Sequence, residues 1–233
     1  MRISLVMPAY NEASIAATSV RSVDRVLATL GGPYEIIVAD DGSQDGTEEA
    51  VHAAGLPTVR VVRRPHRGKG SALTSGLSEA EGDFVGFLDI DLEISEDYLP
   101  VFVSALEEGF DVAIASKVLD REESRRRPLK RRLTTSGYNW LVRLLFGTDL
   151  SDHQAGLKLF RRDALAPILP DIRSEGWLWD TEVLALCARR GCRVKEIAVA
   201  TRPVRPGHVS VVSTSWDMLR NLIGLKRRLN GNG

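Results

Sequence analysis

Short apolar runs alternate with amphipathic stretches along the first half of the chain. The runs 3–7, 34–39, 59–62, 84–88 and 112–115 have the length of buried strands. Between them apolar residues recur at helical spacing, as in 15–30, where Asn11 is placed to cap a helix. This alternation predicts an α/β fold with a mostly parallel central sheet flanked by helices.

The second half of the chain departs from this regular order. Residues 121–132 contain seven basic and two acidic residues interrupted by Pro128, which predicts a mobile basic loop. Further patterns predict strands at 156–160 and 194–199, and helices around 138–145 and over 181–190 and 216–229. These elements extend the same sheet, so the sequence predicts a single domain, 1–233.

Composition narrows the class of protein. The chain has 233 residues, 43% of them hydrophobic, and a formal net charge of zero, which gives no indication of a nucleic-acid partner. Cys187 and Cys192 form no Cys-x-x-Cys pair and are expected to be reduced thiols. No signal-peptide pattern and no apolar run near the roughly 20 residues of a membrane span is present. We therefore expect a cytoplasmic or peripheral protein, or one whose membrane part is a separate chain.

The clearest candidate for chemistry is the tripeptide Asp89-Ile90-Asp91. It directly follows the apolar run 84–88, at the carboxyl end of a predicted strand, where open α/β sheets bind ligands. Two adjacent carboxylates are unfavourable unless a cation neutralises them, and a hard divalent metal prefers carboxylate oxygens. The pair therefore suggests a metal that holds a phosphate, although the same tripeptide also occurs in solvated turns.

Three other polar loops precede this tripeptide, namely 8–12, 40–47 and 67–70. Loops that follow parallel strands emerge at one edge of the sheet, so the four are expected to form a cleft. Acids in the early loops can accept hydrogen bonds from a base and a ribose, and Lys69 can meet a pyrophosphate. Taken alone, Asp41-Gly42 is a common turn. The segment 67–70 lacks the spacing of a Walker loop, and Leu73 replaces the last glycine of a dinucleotide fingerprint.

The order and spacing of the four loops resemble glycosyltransferase family 2, most of all its dolichyl-phosphate (polyprenyl-phosphate) mannosyltransferases and glucosyltransferases. Segments 152–160 and 179–182 resemble further motifs of that family, so the resemblance spans roughly residues 3–200. It implies a GT-A fold, with a nucleotide-sugar-binding half at 1–116 and an acceptor-binding half at 117–233. It also implies a metal-dependent, inverting transfer of mannose or glucose from GDP-mannose or UDP-glucose to polyprenyl or dolichyl phosphate.

The loops and the resemblance together give a set of expected site residues. Those expected to bind the donor are Pro8, Tyr10, Glu12, Asp40, Asp41, Lys69 and Asp89. Those expected to hold Mg²⁺ or Mn²⁺ are Asp89, Asp91 and Glu93. Those expected to serve the reaction are Asp91, Lys117, Arg131 and Asp180. Glu93 stands where the family often has Gln. Lys117 stands where the family commonly has Arg, so Arg131 or a neighbour could take the acceptor phosphate.

The nature of the acceptor stays open at this point. A phosphate acceptor is already anionic and needs cationic side chains rather than a general base, and the basic segment supplies such cations. A hydroxyl acceptor would need a base, for which Asp180 or Glu182 is available. A GT-A domain that binds nucleotide or membrane without turnover is a third possibility.

A lipid-linked acceptor would bring the protein to a membrane. Residues 125–132 with the following helix, and the terminal helix, combine basic residues with Trp, Leu and Phe. They are therefore expected to contact the cytoplasmic face of a membrane as a peripheral surface, with or without a separate membrane-anchoring subunit. The alternative is that both helices pack on the sheet and their cations face water.

Overall fold

The computed structural model describes residues 1–120, 129–202 and 215–231, and their side chains except those of 129–133 and 215–219. Its strands are β1 (Ile3–Ala9), β2 (Tyr34–Asp40), β3 (Val59–Arg63), β4 (Phe84–Leu88), β5 (Val112–Ser116), β6 (Leu157–Arg161) and β7 (Val194–Ala198). Its α-helices are α1 (Ala13–Ala28), α2 (Thr47–His52), α3 (Lys69–Ser78), α4 (Leu99–Glu107), α5 (Leu129–Phe146), α6 (Arg162–Leu165), α7 (Trp179–Arg189) and α8 (Ser215–Gly231). Short 3-10 turns lie at Glu96–Tyr98 and Leu169–Asp171.

All of these strands pair in one sheet with the order β3-β2-β1-β4-β6-β5-β7. Every pairing is parallel except those of β6, which runs antiparallel to both β4 and β5. The chain proceeds outward from β1 through β2 to β3 and then returns to place β4 on the other side of β1. This reversal creates a crevice beyond the carboxyl ends of β1 and β4, the usual ligand position in such sheets.

Side chains of alternate residues in β1 enter two different cores. Leu5 and Met7 pack with α1, α2 and α4 on one face, whereas Val6 packs with α3, α7 and α8 on the other. Burial on both faces explains why the central strands are continuously apolar rather than alternating. The mostly parallel sheet flanked by helices is therefore confirmed.

Two local predictions are corrected by the structure. Asn11 does not cap α1; Glu12 occupies that position, while Asn11 adopts a left-handed backbone with φ of 56°. The predicted basic loop 121–132 is wrong over its last residues, because α5 begins at Leu129, directly after Pro128. Residues 121–128 lie outside the described residues.

The terminal helix is bound to the rest of the fold by its leucines. Leu222, Leu225 and Leu229 are 0%, 2% and 5% exposed, so this side of α8 is core rather than a surface for lipid. The side chains of Trp216 and Leu219, which the same prediction used, lie outside the described residues. Among the described helices, none combines the length and apolar character of a membrane span.

Candidate functional site

The loops after β1 and β2 are joined by side chains of the segment 40–47. Ser43 Oγ accepts a hydrogen bond from the backbone N–H of Asn11 at 2.8 Å, and Thr47 Oγ1 accepts one from Glu12 at 2.8 Å. Asp40 in turn accepts hydrogen bonds from the backbone and hydroxyl of Ser43. Asp40 is 1% exposed, so it organises the two loops from beneath.

Asp41 connects the same loops to the third one. Its carboxylate accepts the backbone N–H groups of Arg67 at 2.9 Å and Gly68 at 2.8 Å, and lies 2.8 Å from Nδ1 of His66. Gly42 beside it has φ of 78° and approaches the backbone of His66 so closely that a Cβ would lie 2.8 Å from its nitrogen. Asp41 therefore fixes the approach of the Arg67–Gly70 loop to the cleft.

Two rings stack at the rim of the cleft. The ring of Tyr10 lies 4.1 Å from that of His66 with an angle of 19° between their planes. Tyr10 is 45% exposed although it follows a buried strand. A flat, solvent-accessible aromatic surface of this kind suits a nucleobase. Pro8, the next expected donor-binding residue, lies half-buried in β1 opposite Ala39 of β2.

Lys69 is the first residue of α3 and extends into the crevice. Its Nζ lies 2.6 Å and 2.9 Å from the two carboxylate oxygens of Asp89, and 4.9 Å from the ring centroid of Trp177. Burial opposes the charge on Lys69, but the carboxylates of Asp89, Asp180 and Asp91 together outweigh it, so the pKa of Lys69 is raised. A lysine held cationic at a helix N-terminus is a suitable partner for a diphosphate.

Asp91 differs from its neighbours in having an exposed carboxylate. Its Oδ1 accepts the backbone N–H of Glu93 at 3.0 Å, while Leu92 between them has φ of 52°. Such a left-handed backbone conformation is strained at a residue other than glycine, and strained residues of this kind cluster at functional sites. The Asp89–Leu92 turn therefore directs Asp91 outward while Asp89 turns inward to Lys69.

Glu93 and Lys117 form an ion pair on the other side of the same turn. Nζ of Lys117 lies 3.0 Å from Oε2 of Glu93, and the backbone N–H of Lys117 donates to Asp152 at 3.1 Å. Both residues follow the carboxyl ends of strands, β4 and β5. Thus the structure places Lys117 at the same edge of the sheet as Asp91, as the sequence predicts.

Asp180 lies beneath the crevice and not on its surface. It is 1% exposed, and its Oδ1 is 2.5 Å from Nζ of Lys158, which is itself fully buried in β6. Lys158 also donates to the carbonyl of Ala155 at 2.8 Å and lies 5.2 Å from the ring of Phe87. A carboxylate already neutralised by a buried cation is poorly suited to accept a proton from a substrate.

Most of the expected site residues do come together, in the segments 8–12, 40–41, 69, 89–93 and 117. The side chain of Arg131 lies outside the described residues, although its backbone belongs to α5. His66 and Lys158 contact site residues but were not predicted from the sequence to do so. The interruption of an apolar strand by one lysine was the available signal for Lys158, whereas nothing distinguished His66 from a surface histidine.

A metal ion at this site would rely on few protein ligands. Within the described parts of the chain, no group of three or more acidic, histidine or cysteine side chains is close enough to hold a metal. Of the three expected ligands, Asp89 contacts Lys69 and Glu93 contacts Lys117, which leaves Asp91 with an oxygen directed to solvent. One or two carboxylates supplemented by substrate phosphates and water is a usual way to bind Mg²⁺. The donor set therefore fits a metal that arrives with a diphosphate.

The chain is similar in sequence to known glycosyltransferases. The chain is 34% identical to glycosyltransferase AglD of Haloferax volcanii over 232 residues, 97% of the chain but only 36% of AglD. It is 26% identical to dolichyl-phosphate beta-glucosyltransferase of Saccharomyces cerevisiae, covering 95% of the chain and 73% of that protein. The chain thus spans about a third of the length of AglD and about three quarters of the yeast enzyme.

A solved structure shares the fold. Glucosyl-3-phosphoglycerate synthase from Mycobacterium tuberculosis, in complex with Mn²⁺, UDP and glucosyl-3-phosphoglycerate, matches with a TM-score of 0.67 and 25% identity over 97% of this chain and 76% of that one. The fold is therefore that of the GT-A glycosyltransferases. The sequence model of the family described as glycosyl transferase family 2 matches residues 4–169, which is most of the chain. The chain belongs to that family.

Proposed function

We propose that this chain is a catalytic domain that transfers a hexose from a nucleotide-diphosphate sugar to polyprenyl phosphate, with inversion at the anomeric carbon. The observation that carries the proposal is the meeting of Asp91, Lys69 and Lys117 at one edge of the sheet, beyond the carboxyl ends of strands of which β1 and β4 are neighbours. Asp91 is the carboxylate directed to solvent there, whereas Asp89 and Glu93 are paired with the two lysines. A metal-bound diphosphate suits Asp91 and Lys69, and a second phosphate suits Lys117. The names of the yeast relative and its family support this choice.

The donor would lie across the loops after β1, β2 and β4. Its base would stack on the exposed ring of Tyr10, and Asp40 and Asp41 would maintain the loops that enclose the nucleoside. Its diphosphate would lie between Lys69 at the start of α3 and Asp91. The donor is GDP-mannose or UDP-glucose in this proposal, since both share the diphosphate that these residues recognise.

Asp91 would hold a divalent cation, Mg²⁺ or Mn²⁺, together with the diphosphate of the donor. When bound, such a cation neutralises charge on the departing nucleoside diphosphate and so makes it a better leaving group. Lys69 contributes to the same neutralisation through its raised pKa, which keeps it cationic at neutral pH. Asp89 holds Lys69 in place at 2.6 Å.

The acceptor in this proposal brings its own nucleophile. A phosphate monoester is anionic at neutral pH, so its oxygen attacks the anomeric carbon without losing a proton to a side chain. Lys117 is positioned to bind it, and Arg131 is a second cation in the adjoining helix α5. The burial of Asp180 against Lys158 supports this scheme, because a hydroxyl acceptor would require a free base.

We further propose that α5 brings this edge of the protein to the cytoplasmic face of a membrane. Trp140 and Leu144 lie one helical turn apart and are 58% and 66% exposed, and Arg143 between them is exposed as well. Aromatic and aliphatic side chains beside cations are typical of interfacial helices. The whole chain would then act as one domain, with residues 1–116 binding the donor and 117–233 the acceptor.

Donor binding tests the proposal without any acceptor. Melting temperatures of the purified protein would be measured with UDP-glucose, GDP-mannose and ADP-glucose, each with Mn²⁺ and with EDTA. We expect one of the first two donors to raise the melting temperature in the presence of Mn²⁺ only, because a ligand bound by the native state alone stabilises it. No shift with any donor would contradict the proposed function.

A further inference from the structure

A carboxylate that the proposed reaction does not use lies completely buried in α7. Glu182 is 0% exposed and accepts the backbone N–H of Ser174 at 2.8 Å and that of Arg173 at 3.2 Å. Its Oε1 also accepts a hydrogen bond from Arg228 of α8 at 2.5 Å. A charge in such a position is costly unless every one of these partners stays in place. Glu182 therefore links the terminal helix to the segment 173–175.

On α8, the guanidinium of Arg228 forms an ion pair with Glu182. Nε of Arg228 is buried and has no hydrogen-bond acceptor among the described residues, so the guanidinium enters the fold at the expense of one unsatisfied group. The Arg228–Glu182 contact offsets that cost. Arg227, the preceding residue, is by contrast exposed. Arg228 is half-buried, with its side chain 36% exposed, and its guanidinium contacts Glu182, which distinguishes it from the exposed Arg227.

The other side of the link contacts the loop that carries Lys69. The backbone N–H of Ser71 donates to the carbonyl of Glu175 at 3.0 Å. A Cβ on Gly68 would lie 2.7 Å from that same carbonyl oxygen, and one on Gly70 would lie 2.6 Å from the carbonyl oxygen of Ser174. Backbone therefore packs directly on backbone with no side chain between, and a shift of 173–175 must shift 67–71 as well.

We propose that Arg228 is a positioning residue for the donor site, acting through Glu182 and the segment 173–175 on the loop 67–71. The terminal helix would thereby set how firmly this loop is held around the diphosphate, at a distance from any contact with the donor. The identity of the ligand rests on the proposed function; the mechanical link does not. If Arg228 is removed, Glu182 remains as a buried carboxylate with backbone partners alone, and the segment 173–175 loosens.

Hydrogen exchange of backbone amides measures the link directly in the protein without ligand. In Arg228→Met, we expect exchange to accelerate about tenfold in 172–176 and several-fold in 67–72, because local opening follows the loss of buried contacts. Strand β2 should exchange as in the wild-type protein. The matched control is Arg227→Met, which removes a neighbouring exposed cation and should leave all of these rates unchanged. Unchanged exchange of 67–72 in Arg228→Met would overturn the proposal.

Nucleotide affinity then tests the consequence for the donor site. Calorimetric titration with UDP and with GDP in Mn²⁺ should give about fivefold weaker binding for Arg228→Met, a size of coupling that packed networks transmit. Arg228→Lys should lie between it and the wild type, because lysine keeps the charge but not the planar donor geometry. Equal affinity in Arg228→Met and Arg227→Met would overturn the proposal.

A second variant keeps the test decisive if Arg228→Met does not fold. Glu182→Gln retains an oxygen for Ser174 and removes the buried charge, so it should fold and still accelerate exchange in 67–72 and weaken nucleotide binding. If the wild-type protein bound neither UDP nor GDP, the proposed function would be contradicted, and the exchange rates alone would decide whether the link exists. Acceleration confined to 172–176 in both variants would refute it.

Discussion

Gly156 leaves the space that the carboxylate of Asp89 occupies. A Cβ added at Gly156 would lie 2.2 Å from Oδ2 of Asp89 and 2.7 Å from its Cγ. The backbone N–H of Asp89 also donates to the carbonyl of Gly156 at 2.9 Å, so the two residues cannot simply separate. The orientation of Asp89 toward Lys69 therefore depends on the absence of a side chain in the segment that precedes β6.

Gly156→Ala should displace Asp89 from Lys69. We expect a loss of about 1–3 kcal/mol in the free energy of unfolding from overpacking, and a larger loss of sugar transfer than of stability at temperatures where the protein stays folded. Denaturant unfolding and transfer assays measure the two effects. The control is Gly224→Ala in α8, where an added Cβ would meet no atom within 4 Å among the described residues outside the helix's own backbone; alanine there should stabilise the helix slightly. Full transfer activity in Gly156→Ala would show that the position of Asp89 is unimportant.

Asp91→Asn should abolish transfer and leave the fold intact. The side chain is exposed, and the amide oxygen can still accept the N–H of Glu93, so the free energy of unfolding should change by less than about 0.5 kcal/mol. A neutral amide binds a hard cation poorly, and we expect at least about a hundredfold loss of turnover. Asp163→Asn, exposed at the opposite edge of the sheet, is the control. Comparable activity of the two variants would exclude Asp91 as a metal ligand.

His153 should make the protein sensitive to mild acid. Its side chain is 0% exposed, and its ring nitrogens form hydrogen bonds with Asn139 and Thr148. Burial lowers its pKa from 6.5 to about 4. The unfolded chain therefore binds a proton that the folded one does not between these values. Stability contributed by neutral His153 is present above pH 6.5 and is lost as the pH falls to about 4, by about 3 kcal/mol.

Replacement of this histidine isolates its share of the pH dependence. His153→Gln should lower stability at pH 7.5 but reduce the slope of unfolding free energy against pH between 6.5 and 4. Chemical denaturation at several pH values measures the slope. A slope as steep as that of the wild type would mean that other groups account for the acid sensitivity.

The exposed side of α5 should mediate membrane contact. The double variant Trp140→Ser/Leu144→Ser removes the two most exposed apolar side chains among those described in α5 and should reduce co-sedimentation with anionic vesicles, since less apolar surface enters the interface. Higher salt should weaken binding of the wild type as well. Val101→Ser on α4, also exposed, is the control. Undiminished sedimentation of the double variant would assign the contact to another surface.

The sequence predicted the strands and the converging loops well, because apolar runs and glycine-rich turns are local features. It did not predict that β6 runs antiparallel between β4 and β5, since strand direction depends on pairing partners distant in the chain. Likewise, the pairing of Lys158 with Asp180 and of Glu182 with Arg228 joins residues 22 and 46 positions apart. Asp180 and Glu182 were considered as a general base from the sequence. Their burial, which only the tertiary structure shows, indicates a structural role instead.

The proposed reaction depends on a phosphate as the nucleophile of the acceptor. The most direct measurement is transfer of labelled sugar from UDP-glucose or GDP-mannose with Mn²⁺ to polyprenyl phosphate, compared with the same polyprenol lacking the phosphate. We expect lipid-linked product with the phosphate only. Asp180→Ala should retain this activity at temperatures where it stays folded, and Lys117→Met should lose it. Transfer to the unphosphorylated alcohol or to a free sugar hydroxyl, abolished by Asp180→Ala, would contradict it.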